Sequence, residues 1–71
     1  MIIEKERAIT IAELRARANK MTQKKLAKEL GVAQSTVSSW ERDITTIHAK
    51  DLVNLCNYFN VSADDLLGLK F

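Results

Sequence analysis

Residues 22–42 read TQKKLAKELGVAQSTVSSWER, and the fold of the chain follows from this stretch. Thr22 is suited to cap a helix over QKKLAKEL, because its hydroxyl can accept a hydrogen bond from a free backbone N–H in the first turn. Gly31 stands where a left-handed residue is needed to end that helix. A second helix then covers QSTVSSWER. The stretch therefore predicts two short helices joined by a tight turn.

The apolar residues of this stretch keep one register through both helices. A small Ala27 lets the helices cross closely, Gly31 supplies the turn, and the apolar residues that follow hold the second helix against the first. The residues in this register are Leu26, Ala27, Leu30, Gly31, Val32, Val37 and Trp40. An ordinary helical hairpin is the alternative. The length of the register favours a helix-turn-helix at about residues 22–41.

The second helix has two different sides. On a helical wheel, Val37 and Trp40 lie close together with Ala33 beside them, and this side is predicted to be buried. The opposite side carries Gln34, Ser35, Ser38, Ser39 and Arg42. Short polar side chains keep their donors and acceptors near the backbone, so a partner must approach closely to use them. The major groove of DNA admits an α-helix at that distance.

Capping residues and hydrophobic periodicity predict three further helices. The first covers residues 10–18, the fourth residues 48–59 and the fifth residues 62–68. The first and fifth begin with capping boxes, and the fourth has an apolar stripe at helical spacing. We therefore predict an all-α fold, a compact bundle of five helices formed by residues 10–71. Residues 1–9 form an N-terminal arm whose structure the sequence does not fix.

The chain has 71 residues and a net charge of +2, but the charge is unevenly distributed. Between Arg15 and Arg42, seven positive side chains stand against two negative ones, while the flanking segments are acidic. A basic middle indicates a polyanionic partner; a solvated charged surface is the alternative.

Several classes of function lack the residues they need. The single cysteine, Cys56, and the single histidine, His48, leave too few ligands for a zinc site, so we expect no metal and no cofactor. No nucleophile–base pair is present, which argues against an enzyme with a small-molecule substrate. No apolar run reaches the length of a membrane span, and the first residues are charged. We expect a cytoplasmic protein, associated with the nucleoid through DNA.

The stretch TQKKLAKELGVAQSTVSSWERD closely resembles the pattern TQ-x-x-LA-x-x-LGV-x-x-STVS-x-WE of the Cro/repressor family of helix-turn-helix proteins, also called the xenobiotic-response-element type. Beyond it, DLVNLCNYFNVSADDLLG is similar to the last two helices of that family, so the likeness covers about residues 10–69. The resemblance implies a lambda-repressor-like fold that binds DNA with the second helix of the motif.

The resemblance also implies roles for individual residues. Base contacts fall on Gln34, Ser35 and Ser39. Contacts to the DNA backbone fall on Thr22, Gln23, Lys24, Thr36, Ser38 and Arg42. Gln23 would also brace the side chain of Gln34. Glu41 would pair with an arginine of the first helix, here Arg15, with Arg17 as the alternative because ANKMTQ is one residue longer than usual.

The chain departs from the family pattern at three further positions. Ala33 replaces the usual Ser or Thr N-cap of the recognition helix. Asp43 stands where a glycine is common, and Ile47 where a proline often lies. We expect a differently shaped loop there, with Ile44 and Ile47 partly exposed.

These observations predict a sequence-specific regulator of transcription that binds double-stranded DNA, and we expect a repressor. One helix reads few base pairs, so we expect a homodimer on a palindromic operator with half-sites about 34 Å apart. Candidate dimer surfaces are the loop with Ile44 and Ile47 and the tail with Leu66, Leu69 and Phe71. The alternative is a protein-interaction module on the same fold, such as an antitoxin or a transcriptional adaptor. A regulatory protein is a further candidate partner.

Overall fold

The computed structural model describes residues 2–3 and 8–70. Its helices are α1 Ile11–Arg17, α2 Gln23–Leu30, α3 Gln34–Arg42, α4 Ala49–Phe59 and α5 Ala63–Leu67, with a 3-10 turn at Ile44–Thr46 between α3 and α4. The predicted all-α fold of five helices is confirmed. The sequence did not predict the short antiparallel pairing of β1, Ile2–Ile3, with β2, Leu69–Lys70. This pairing joins the two ends of the described chain.

The helices begin and end where local chemistry requires. Thr10, Thr22 and Ser62 each accept a hydrogen bond from the backbone N–H three residues later, at 3.0 to 3.1 Å. Such caps each stabilise a helix by about 1 kcal/mol. At the other end, Gly31 and Asn60 take left-handed conformations with φ of 70° and 55°, which end α2 and α4. The helices are therefore bounded by their own neighbouring residues.

All five helices contribute to one hydrophobic core. Its fully buried members are Ile11, Leu14, Leu26, Ala27, Val37, Trp40, Leu55 and Leu66. The prediction that Leu66 lies on a dimer surface is wrong, because Leu66 is only 2% exposed and belongs to the hydrophobic core. The backbone of Leu69 lies in β2, and Phe71 lies outside the described residues.

The loop after α3 is built around Asp43. Its side chain accepts hydrogen bonds from the backbone N–H of Thr45 at 3.0 Å and from the Thr45 hydroxyl at 2.6 Å. The φ of Asp43 is −155°, an extended conformation that does not require the glycine common at this position. Ile44 and Ile47 are half-buried against the core, as the sequence led us to expect of a partly exposed pair.

The loop between α1 and α2 contains two consecutive left-handed residues, Asn19 with φ of 62° and Lys20 with φ of 59°. The backbone N–H of Met21 then donates to the carbonyl of Arg15 at 2.9 Å, which closes the loop. Asparagine tolerates this conformation, but lysine does not favour it. The longer segment is thus accommodated at the cost of backbone strain at Lys20.

We expect Lys20→Gly to raise the free energy of unfolding by about 0.5–1 kcal/mol, because relief of the left-handed strain exceeds the entropy lost by a glycine. Urea unfolding measures this change. Lys24→Gly is the matched control: Lys24 is also exposed but has a right-handed helical backbone in the first turn of α2, where glycine is expected to lower the stability. A loss of stability in both variants would contradict strain at Lys20.

Candidate nucleic-acid interface

Buried residues of α2 and α3 fix the two helices against each other. Leu26 and Ala27 of α2 are 0% and 3% exposed, and Val37 and Trp40 of α3 are 0% and 3% exposed. The turn between them is closed by a hydrogen bond from the backbone N–H of Val32 to the Ala27 carbonyl at 2.9 Å. The outer face of α3 is therefore held in a defined orientation.

The remaining residues of the predicted helix-turn-helix register lie at the turn. Leu30 and Val32 are half-buried against the core, and Gly31 is exposed with its positive φ. The turn consists of Gly31, Val32 and Ala33, so the C-terminus of α2 is followed almost at once by the N-terminus of α3.

The outer face of α3 is polar along its whole length. Gln34, Ser35 and Arg42 are exposed, and Thr36, Ser38 and Ser39 are half-buried. Longer polar side chains such as Glu, Lys and Gln would stabilise a solvent-exposed helix more, because their helix propensity is higher. The short side chains of α3 instead keep their polar groups close to the backbone. Six side chains of α3 are predicted to contact DNA, and none of them is large and apolar.

The placement of Ala33 on the buried side of α3 is wrong, because the residue is exposed. Ala33 is the N-cap and has an extended backbone, with φ of −74° and ψ of 150°, so it does not follow the helical wheel. Its carbonyl accepts from the N–H of Thr36 at 3.0 Å, but its side chain cannot cap the helix. The first N–H groups of α3 are consequently left for solvent or for a ligand.

The hydroxyl of Ser39 makes two contacts within α3. It donates to the backbone carbonyl of Ser35 at 3.0 Å and accepts from Nη2 of Arg42 at 3.2 Å. The sequence did not predict this pairing, although the three-residue spacing of Ser39 and Arg42 is the signal that could have indicated it.

Arg15 and Glu41 form an ion pair between α1 and the last turn of α3. Nε of Arg15 lies 2.7 Å from Oε2 of Glu41, and Nη2 lies 2.9 Å from Oε1. Nη1 of Arg15 also donates to the carbonyl of Met21 at 2.8 Å. The geometry is bidentate, which is the strong form of this interaction. Arg17, the alternative partner, is exposed.

The environment of Glu41 shifts its acidity. Burial alone would raise the pKa of Glu41, but hydrogen bonds from Arg15 and Gln23 outweigh that effect and hold the pKa below its usual value. The hydrogen bond to Glu41 raises the pKa of Arg15 despite partial burial. The pair is therefore charged at neutral pH.

Gln23 connects α2 to this ion pair. Its Nε2 donates to Oε1 of Glu41 at 3.1 Å. No hydrogen bond joins Gln23 to Gln34 among residues 2–3 and 8–70, and the expected bracing of Gln34 stays a prediction. The Glu41 carboxylate, which already accepts from Arg15, is the acceptor within reach of the Gln23 amide. One carboxylate thus ties α1, α2 and α3 together.

Three exposed lysines lie on α2, the helix that precedes α3. Lys24, Lys25 and Lys28 are exposed, and Lys25 pairs with Glu29 at 2.7 Å. Lys24 and Lys28 form no ion pair with any described residue. The Thr22 hydroxyl accepts from the N–H of Lys25 as the cap of α2, which leaves its own proton available to donate. Lys24 and Lys28 therefore leave two positive charges on α2 outside any ion pair with a described residue.

Other candidate sites lack the necessary groups in the described part of the chain. No three His, Cys, Asp or Glu side chains there are grouped so that they could hold a metal ion. None of its helices is long and apolar enough to cross a membrane. Cys56 is half-buried, and this burial raises the pKa of its thiol, which makes the thiolate less available.

Comparison with known proteins agrees with this geometry. The family model for helix-turn-helix proteins matches residues 11–66, which include all five helices apart from the last residue of α5. The chain belongs to the helix-turn-helix family. The resemblance to the Cro/repressor type of this family is confirmed.

A curated helix-turn-helix protein is similar to this chain. The HTH-type transcriptional regulator ImmR of Bacillus subtilis (strain 168) is 40% identical over 47 residues. The aligned part covers 66% of this chain and 37% of ImmR, so the chain corresponds to little more than a third of that relative. No solved structure matches the chain.

Proposed function

We propose that this chain is a sequence-specific regulator of transcription that binds double-stranded DNA with α3 in the major groove. The observation that carries the proposal is the polar outer face of α3, held by buried Val37 and Trp40. Lys24 and Lys28 are exposed on α2, the helix before α3, form no ion pair with a described residue, and can supply positive charge for DNA binding. Membership in the helix-turn-helix family and the likeness to a transcriptional regulator support the same function.

The proposed contacts fall into two groups. Gln34 and Ser35 are exposed at the start of α3, where their side chains can reach base edges. Ser39 lies one turn further along the same face. The groups proposed to contact phosphates are Thr22, Gln23, Lys24, Thr36, Ser38 and Arg42. The uncapped N–H groups at the start of α3 are a further favourable site for a phosphate.

We propose that the chain acts as a dimer on a palindromic operator. Nine residues of α3 can read only a few base pairs, and a second copy one helical turn away doubles the sequence that is read. Occupation of an operator by such a dimer would exclude other proteins from the same DNA, which is why we propose repression. No enzymatic activity is part of this proposal.

Selection of binding sites from a random duplex pool tests the function directly. We expect enrichment of one half-site, repeated in inverted orientation at a spacing of about 10 base pairs. The affinity for the enriched site should fall steeply as salt rises, because bound counterions are released. Absence of any enriched sequence would contradict the proposed function.

Two single substitutions distinguish base contacts from phosphate contacts. Gln34→Ala is expected to relax the preference at one or two base pairs, at a cost of about 1–3 kcal/mol on the best site. Lys24→Ala is expected to weaken binding to all sequences alike and to reduce the salt slope by about one unit. Titration of each variant against the selected site and a scrambled duplex measures both effects. Equal behaviour of the two variants would argue against docking through α3.

A protein-interaction module on the same fold remains the second candidate. Val53 and Tyr58 of α4 are 57% and 42% exposed, which is unusual for large apolar side chains in the described part of this small domain. These residues lie on α4, which is not part of the helix-turn-helix. If the selection enriches no sequence, this candidate becomes the leading one.

A further inference from the structure

Ser39 and Arg42 form a hydrogen-bonded pair on the outer face of α3. The Ser39 hydroxyl donates its proton to the Ser35 carbonyl at 3.0 Å and accepts from Nη2 of Arg42 at 3.2 Å. A serine hydroxyl has one proton and two lone pairs. Its only donor is therefore engaged within the helix, and one of its two lone pairs is engaged by Arg42.

This arrangement limits what Ser39 can offer to DNA. With its proton held by Ser35, the hydroxyl has a single lone pair left and can only accept a hydrogen bond. It is also half-buried, whereas Arg42 is exposed. The guanidinium of Arg42 carries five N–H donors, and only one of them is engaged by Ser39. The capacity to donate hydrogen bonds at this part of α3 thus lies with Arg42.

The contact also places the guanidinium. Ser35, Ser39 and Arg42 follow each other at intervals of four and three residues, so they share one side of the helix. Because Arg42 reaches back to Ser39, its guanidinium lies over this side instead of extending beyond the end of α3. A long side chain that is already held loses less conformational freedom when it binds.

We propose that Ser39 is a positioning residue, which holds the guanidinium of Arg42 on the DNA-facing side of α3, and that Arg42 makes the contact with DNA there. The inference rests on the proposed function. The chemistry required of the partner is a pair of acceptor atoms, which a guanine edge or a phosphate group supplies.

A double-mutant cycle on the selected operator tests the coupling. Ser39→Ala is expected to weaken binding about three- to tenfold when Arg42 is present, which corresponds to the loss of one hydrogen bond. In the Arg42→Ala background the same change is expected to weaken binding less than about twofold, because the group that it positions is gone. Ser39→Thr keeps the hydroxyl and is expected to recover most of the affinity.

Ser38→Ala is the matched control. Ser38 is a serine of the same helix and has the same degree of burial, but it has no hydrogen bond to Arg42 in the structure. Its effect should be the same in both backgrounds. Far-ultraviolet circular dichroism of each variant verifies the fold, which Ser→Ala favours through higher helix propensity.

The outcomes separate the inference from the function on which it rests. When Ser39 and Arg42 are coupled, the affinity lost in Arg42→Ala identifies the contacted group. A loss that depends on one base pair of the operator indicates that Arg42 contacts a guanine, and an equal loss on all sequences with a smaller salt slope indicates a phosphate. Either result supports the inference. If the single losses of Ser39→Ala and Arg42→Ala multiply in the double variant, the wild type still preferring one sequence, the inference is overturned and the proposed function stands. If the wild type prefers no sequence, both are overturned.

Discussion

Replacing Trp40 with alanine is expected to lower the free energy of unfolding by about 3–5 kcal/mol, the usual cost of deleting a buried aromatic side chain. Trp40 is 3% exposed and lies in the core between α3 and the rest of the bundle. A domain of 71 residues has a free energy of unfolding on the order of 5 kcal/mol, so most of this stability would be lost. Urea unfolding followed by far-ultraviolet circular dichroism measures the change, since the variant lacks tryptophan fluorescence.

The same variant distinguishes a core residue from a DNA-binding one. If Trp40 acts only through the fold, the apparent affinity for the operator should fall in proportion to the folded fraction. An aromatic side chain that stacked on bases would instead weaken DNA binding and leave the urea midpoint unchanged. That second result would contradict the burial of Trp40.

Two valines provide a matched control for the core. Val37→Ala and Val53→Ala remove the same two carbon atoms from helical positions, but Val37 is 0% exposed and Val53 is 57% exposed. We expect a cost of about 2 kcal/mol for Val37→Ala, from lost burial and the cavity left behind. Val53→Ala should cost less than about 0.5 kcal/mol. A similar cost at both positions would contradict the described core.

Local chemistry explains why the helices could be predicted from the sequence. Thr22 and Gly31 act on residues within one turn of themselves, so the bounds of α2 depend on no distant contact. The same holds for Thr10 and Ser62 at the starts of α1 and α5. The pairing of β1 with β2 could not be predicted, because it joins two-residue segments at opposite ends of the chain. Nothing in either segment indicates its partner.

The site was less predictable because its side chains choose among several partners. Gln23 can reach more than one acceptor, and only the folded position of Glu41 decides that it bonds there. The sequence alone does not indicate whether the Ser39 hydroxyl faces solvent or donates to a carbonyl of its own helix. Ala33 was misplaced because the wheel assumes helical dihedral angles that an N-cap does not have. Residue identities could therefore indicate the face of α3 but not the contacts on it.

The ion pair of Arg15 and Glu41 predicts how stability depends on pH. The folded state lowers the pKa of Glu41, so its contribution to stability is complete above the unfolded value of about 4.3 and is lost as the pH falls through the folded pKa. Hydrogen bonds to a charged group contribute about 1.5–3 kcal/mol. We expect Glu41→Gln to be less stable than the wild type by about 2 kcal/mol at pH 7, with the difference shrinking below about pH 4. Urea unfolding across this range measures it.

An exposed carboxylate on α2 is the control for this pH dependence. Glu29 also pairs with a basic residue, Lys25, but their side chains are 37% and 56% exposed, and solvent screens such pairs. Glu29→Gln should therefore change stability far less than Glu41→Gln at every pH. Glu41 accepts hydrogen bonds from both Arg15 and Gln23, so its replacement removes contacts of α3 with α1 and with α2 at once. If Glu41→Gln and the wild type lost stability in parallel from neutral to acid pH, the Glu41 carboxylate would not be the source of the pH dependence.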